Sequence, residues 1–195
     1  MIESINGIKL YRTKYTGNVA ELREALLPKL EKVFQVKITG EYGGPVVNGI
    51  CSFFNDDESG KNLQTWPELQ DLIKFLNHHI KLFTKELGIS NYNLEWNGMW
   101  ANKYPRGSYA HVHWHTDDRT SPLYGILFYL RIPEDSGNFV VQIPNKDDKL
   151  EDYELVLHEG DVNIIPLYLP HYTHPNNNDE AKLIIGTEVF IKPVE

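Results

Sequence analysis

The sequence predicts a mainly β protein with supporting helices, arranged as a jelly roll. Two observations carry this. From Tyr92 onward, short β-rich runs are separated by Gly, Pro, Asn and Asp at the spacing of a sandwich or barrel. Before that point, two segments place apolar residues at three- and four-residue intervals behind helix-start residues.

In chain order, Asn18 followed by Glu21 is expected to cap a helix running to about Val33, with Pro28 as a kink or break. Thr65-Trp66-Pro67-Glu68 reads as a capping box for a second helix. Behind it Leu69, Leu72, Ile73, Leu76, Ile80 and Phe83 form one apolar stripe that should pack on a sheet, and Gly88 is the expected stop. Strands are expected near 92–104, 108–117, 122–132, 137–143, 153–158, 161–166, 170–174 and 182–191, a set that suits a jelly roll. The expectation is one domain over 1–195, with 1–90 as helical support and 91–195 as the jelly-roll core.

Composition limits the function classes. Apolar residues at 41% and charged residues at 24% are those of a folded chain, not a disordered one. The longest apolar run, Gly125–Leu130, is far short of the roughly 18 residues that span a bilayer. The net charge of -8, from 19 basic and 27 acidic residues, gives no indication of nucleic-acid binding, which needs clustered positive surface. A single cysteine, Cys51, and no signal-peptide pattern at Met1-Ile2-Glu3-Ser4 lead to the expectation of a reducing, cytoplasmic setting. No Gly-rich phosphate loop is present.

The informative segment is His111-Val112-His113-Trp114-His115-Thr116-Asp117-Asp118. On a strand, His111, His113, His115 and Asp117 share one face. Imidazoles and a carboxylate pointing into a core are costly to bury unpaired, so either that face is open to solvent or something binds it. A metal ion would remove the cost. His115-Thr116-Asp117 is an H-x-D pair, and with a distant histidine it would form the two-histidine, one-carboxylate set that leaves positions open on iron(II). Gly160–His171 reads as a turn, a buried strand and a second turn that delivers His171, with His174 as its rival.

At these residues the chain resembles the 2-oxoglutarate and iron(II)-dependent oxygenases, especially bacterial and phage members and, more loosely, the prolyl hydroxylases. The resemblance covers roughly residues 48–191. It rests on Trp100-Ala101-Asn102-Lys103-Tyr104-Pro105-Arg106-Gly107, the histidine strand, Tyr124–Leu130, Pro133 with Ser136-Gly137-Asn138-Phe139, and Ile165–His171. It implies a double-stranded β-helix, a cupin-like barrel, and a dioxygenase that uses iron(II), 2-oxoglutarate and dioxygen to hydroxylate a further substrate, releasing succinate and carbon dioxide. Family spacing counted from Gly107 selects His113 and His115 as the proximal ligands, whereas chemical type selects His115 and Asp117. The second is preferred because a carboxylate balances the metal charge, and His171 completes either set. Lys182, eleven residues after His171, stands where the family places a basic residue for the distal carboxylate of 2-oxoglutarate, and Tyr129 and Tyr104 stand where hydroxyls contact it.

The alternative is a cupin-type metalloprotein, using His113, His115 and His171 without 2-oxoglutarate; the glutamate of the first cupin motif is missing. A metal-free jelly-roll binding module is the non-enzymatic reading. His78 and His79 are adjacent on a helix and are read as surface residues, and His158 as a strand end. Trp100 and Trp114 are core or rim aromatics that could line a substrate groove, and Arg119 and Arg131 could meet an anionic substrate. Residues 35–65 and 145–152 are the expected substrate loops.

Overall fold

The computed structural model describes residues 1–36, 45–55, 59–115 and 123–194. In chain order the elements are β1 (Ile2–Ile5), β2 (Ile8–Lys14), α1 (Val19–Phe34), β3 (Val46–Val47), β4 (Ile50–Cys51), α2 (Gln70–Glu86), β5 (Tyr92–Tyr104), β6 (Tyr109–His113), β7 (Leu123–Arg131), β8 (Phe139–Pro144), β9 (Leu150–Leu155), β10 (Asp161–Pro166), β11 (His171–Thr173) and β12 (Lys182–Pro193). They form a seven-stranded sheet, ordered β1-β2-β10-β7-β12-β5-β4, and a five-stranded sheet, ordered β3-β6-β11-β8-β9. Every pairing between strands is antiparallel.

Both faces of the large sheet are covered. This explains why β7 and β12 read as nearly continuous apolar runs: alternate residues serve two different cores. Ile126, Phe128 and Leu130 of β7, with Leu183, Ile185, Val189 and Ile191 of β12, pack with Leu26 and Leu30 of α1 and Leu72, Leu76, Ile80 and Phe83 of α2. The opposite residues, Tyr129 and Ile184, join Phe139, Val141 and Ile143 of the small sheet in a second core between the sheets. The expected stripe on α2 therefore packs on a sheet, as its spacing predicts.

Helix α1 begins at Asn18, whose Oδ1 accepts from the backbone N–H of Glu21, and Pro28 lies inside it. The Thr65 capping box is not made. Thr65 closes a 3-10 turn (Leu63–Thr65), its hydroxyl donates back to the Asn62 carbonyl, a second 3-10 turn (Pro67–Leu69) follows, and α2 starts at Gln70 without a side-chain cap. Gly88 ends the helix at φ +75°, with its N–H on the Lys85 carbonyl.

The sequence reading places no strand before residue 92, and here the structure differs. β1 and β2 form a hairpin that extends the large sheet beside β10, turning at Asn6 (φ +50°) and Gly7 (φ +83°). Asn-Gly between short apolar runs is the strongest local hairpin signal. β9 also begins three residues earlier than expected, at Leu150.

Strand β5 carries a bulge. Thr187 pairs with Met99 and Val189 with Trp96, so Asn97 and Gly98 together stand opposite Glu188. The bulge reverses the phase of the strand: Leu94 and Trp96 lie against the helix-side core before it, Met99 and Ala101 after it.

Leu76 is 2% exposed on the buried face of α2. Leu76→Ala should cost about 2–5 kcal/mol, read as a lowered urea midpoint at unchanged m-value.

Candidate metal centre

The site forms where β6 and β11 pair. Their antiparallel register sets His171 directly opposite His113, and a shift in register follows before Thr173. His115 lies just past the end of β6, tied by its N–H to the Leu167 carbonyl in the connection from β10 to β11. The ring centroids of His113 and His171 are 4.3 Å apart, and the His115 ring is 5.3 Å from each.

Each ring is held through one nitrogen. Nδ1 of His113 is 2.8 Å from the His111 carbonyl, and Nδ1 of His171 is 2.8 Å from the Leu169 carbonyl. A carbonyl only accepts, so each Nδ1 donates and each Nε2 keeps its lone pair. Nδ1 of His115 lies 2.5 Å from Glu188 Oε1, which fixes the same tautomer there. One potential ligand atom from each of the three rings lies within 4.8 Å of the other two. A triangle of that side has its centre about 2.8 Å from each corner, against about 2.0–2.1 Å for a metal–imidazole bond. Movement of under an ångström would bring all three onto one ion.

Burial prepares two of these rings as ligands. It lowers the His171 imidazole to about 3 and the His113 imidazole to about 4, with the neighbouring histidines adding to the effect. A ring held neutral has no proton to lose on binding a cation.

The histidines open into a cavity of about 180 Å³ between the sheets. Phe139, Leu127, Leu167 and Ile184 form its apolar wall, while Phe53, Phe54 and Trp100 form an aromatic group, with Phe53 5.2 Å from Trp100 and 5.3 Å from Phe54. Asn102 and Thr173 add polar groups, and the buried Asn102 amide oxygen has no hydrogen-bond partner among the described residues.

Lys182 sits behind Thr173. It is 0% exposed, and its Nζ donates to Thr173 Oγ1 at 2.7 Å and to the Gly137 carbonyl at 3.0 Å, beneath the Tyr104 ring at 5.1 Å. Burial alone pushes its ammonium down to about 7, and among the described residues no carboxylate is paired with it.

The structure thus brings His113, His115, His171 and Tyr104 to one cavity, with Lys182 behind Thr173 and outside the lining. Asp117 and Arg119 lie outside the described residues. Tyr129 is fully buried in the core, and its hydroxyl accepts from Asn163 Nδ2. His111 is exposed, and His174 lies away from the three rings, 4.0 Å from Glu154. Trp100 lines the cavity, whereas Trp114 is 58% exposed. Arg131 pairs with Glu180. His79 differs from its surface reading: it is half-buried, with Nδ1 2.6 Å from the Tyr11 hydroxyl. Within 35–65, Pro45, Val46, Cys51, Phe53 and Phe54 line the cavity; none of 145–152 does. Burial pushes the Cys51 thiol up to about 12, which favours its protonated form.

Sequence reasoning missed Thr173 and Glu188. Thr173 follows His171 by two residues on β11, and Glu188 follows Lys182, Ile184 and Gly186 at intervals of two on β12. Strand periodicity was the signal that could have found both.

No family model and no curated protein matches the sequence. Solved structures do. A Trichoplax adhaerens prolyl hydroxylase, in complex with a hypoxia-inducible-factor peptide, matches with a TM-score of 0.64 at 13% identity, over 94% of this chain and 83% of that one. A viral collagen prolyl hydroxylase from Paramecium bursaria chlorella virus 1, bound to 2-oxoglutarate, gives 0.58 at 16% identity, over 93% and 95%. A Burkholderia pseudomallei oxidoreductase of the 2-oxoglutarate and iron(II) oxygenase family gives 0.54 at 13% identity, over 91% and 92%. The chain has the fold of these oxygenases. The expected double-stranded β-helix is therefore present. Among the described residues, no helix is long and apolar enough to cross a membrane.

With metal chelated, the unfolded chain takes up protons on His113 and His171 below pH 6.5, while the folded chain does so only near pH 3–4. Unfolding free energy should fall as pH drops from 6.5 towards 4, by at most about 1.4 kcal/mol per pH unit for each ring. Urea midpoints in chelator check this. A flat profile across that window would mean the rings are already protonated in the fold.

Proposed function

We propose that the protein is a non-haem iron(II) and 2-oxoglutarate-dependent dioxygenase that hydroxylates a further substrate with release of succinate and carbon dioxide. The observation that carries this reading is a three-imidazole cluster on one cavity, with a buried lysine, unpaired with any carboxylate among the described residues, directly behind the cavity-lining Thr173. Among the described residues His113, His115 and His171 are the proposed metal ligands, the alternative to the His115, Asp117 and His171 set preferred from chemical type, of which Asp117 lies outside those residues; Lys182 and Tyr104 are the proposed co-substrate contacts. Tyr129, the third expected co-substrate contact, is buried with its hydroxyl on Asn163 and is not among the cavity-lining residues.

Iron(II), when bound with 2-oxoglutarate, supplies activation of dioxygen for C–H oxidation. The chain's own residues set the conditions. The His111 and Leu169 carbonyls and Glu188 hold three rings in one tautomer and orientation. Lys182 offers a compact charge to the distal carboxylate of the co-substrate, and Thr173 steadies it. The full burial of Lys182 would keep water from that pair, which strengthens it. Phe53, Phe54 and Trp100 give the reacting part of the substrate an apolar surface. A lone cysteine, buried, is in keeping with a reducing cytoplasmic setting.

The all-imidazole cluster also favours a second reading, the cupin-type metalloprotein that ignores 2-oxoglutarate. One titration separates them. Iron(II) and 2-oxoglutarate added without oxygen should give a weak visible charge-transfer band, and air should then give succinate. Metal-loaded protein that gives neither overturns the proposal.

Two further outcomes test Lys182. Lys182→Met should raise the Kd for 2-oxoglutarate at least tenfold without lowering the melting temperature of the ligand-free protein, because it removes an uncompensated buried charge. Since the ammonium titrates near 7 in the free site and a carboxylate favours the charged form, binding takes up a proton. Affinity should decline as pH rises above about 7, by up to about tenfold per unit. Calorimetry in buffers of different ionisation enthalpy reads both.

A further inference from the structure

The geometry points to Glu188 as the carboxylate, among the described residues, that serves the metal centre, acting through His115 as a positioning residue and not as a ligand. The inference rests on the metal-binding reading of His113, His115 and His171.

Three imidazole donors bring no charge, so a dication held by them alone keeps its full charge in a mostly apolar cavity. Glu188 is 8% exposed, lines that cavity and stands one hydrogen bond behind a proposed ligand. Both of its oxygens are committed. Oε1 accepts from His115 Nδ1 at 2.5 Å, and Oε2 accepts from Asn97 Nδ2 at 2.8 Å. A carboxylate so placed fixes the tautomer of the ring, aims Nε2 at the ion and increases the donor strength of that nitrogen.

The backbone is built to hold this arrangement. Glu188 lies opposite the two extra residues of the β5 bulge, Asn97 and Gly98. The bulge turns Asn97 onto Glu188, and the Thr187 hydroxyl clamps it by donating to the Gly98 carbonyl. An unbroken ladder would leave β5 in one phase throughout, with a single residue facing Glu188. The other two rings lean on backbone carbonyls, so among the described residues His115 is the ring held by a side chain.

The test uses the full-length protein, loaded with Co(II) in place of iron and compared with Glu188→Gln and Glu188→Ala. Gln keeps a hydrogen-bond acceptor and loses the charge; Ala loses both. Equilibrium dialysis should give a Co(II) Kd about 10–100-fold higher for Glu188→Gln than for wild type. Paramagnetically shifted proton spectra of wild type and Glu188→Gln should show three exchangeable ring N–H signals, one per histidine. Glu188→Ala should lose one and keep two. Melting of both variants in chelator should show the fold retained, so that weaker binding cannot be read as unfolding. A Glu188→Gln Kd within twofold of wild type, or three exchangeable signals in Glu188→Ala, would overturn the role of Glu188 while leaving the three-histidine site standing. Wild-type protein that binds no Co(II) would overturn the metal reading and this inference together.

Discussion

The pairing of β6 with β11 is the contact on which the rest of the site depends. It is short, and its register places His171 across from His113 at the end of the small sheet. A slip of one residue would turn every side chain of β11 to the other face and remove both His171 and Thr173 from the cavity. The register is held from both sides. β8 pairs with β11 on its far edge, and the Leu167 carbonyl ties down His115 before β11 begins. Phe139, Val141 and Ile143 of β8 anchor the small sheet in the inter-sheet core, so the histidine pair inherits its position from apolar packing.

That packing also sets the electrostatics. The same walls that exclude water push two imidazoles and one ammonium towards their neutral forms. Burying such groups opposes folding unless each finds a partner, and here the partners are incomplete. Backbone carbonyls take one nitrogen of His113 and of His171, and Thr173 and Gly137 take protons of Lys182. What remains is a set of lone pairs facing the cavity and, behind Thr173, an ammonium that pairs with no carboxylate among the described residues. A cation and a dicarboxylate are complementary to that pattern.

The large sheet frames the site from the opposite side. Its outer face is sealed by α1 and α2, leaving the inner face of β12 to carry Lys182, Ile184 and Glu188 in sequence towards the histidines. The bulge in β5 lets Met99 and Ala101 face the helices while Trp100, Asn102 and Tyr104 face the cavity. Fold stability and site geometry therefore share the same strands.

Much of this was legible in the sequence. Period-two spacing marked the histidine strand and the apolar stripe marked α2 and its sheet, because local periodicity reports which residues share a face, whereas Lys182 was marked only by the family resemblance. The Asn6-Gly7 hairpin was equally legible and passed over; the failed cap at Thr65 reflects a tertiary preference for consecutive 3-10 turns over a side-chain cap. By itself the sequence determined the two main helices, most of the strands from residue 92 onward and the candidate histidines. Only the tertiary structure decided which imidazoles converge, that Lys182 is wholly enclosed, and that Glu188 reaches His115 across 73 positions of chain. Those contacts lie between strands distant in sequence, where register and bulges, not local propensity, fix which side chains meet.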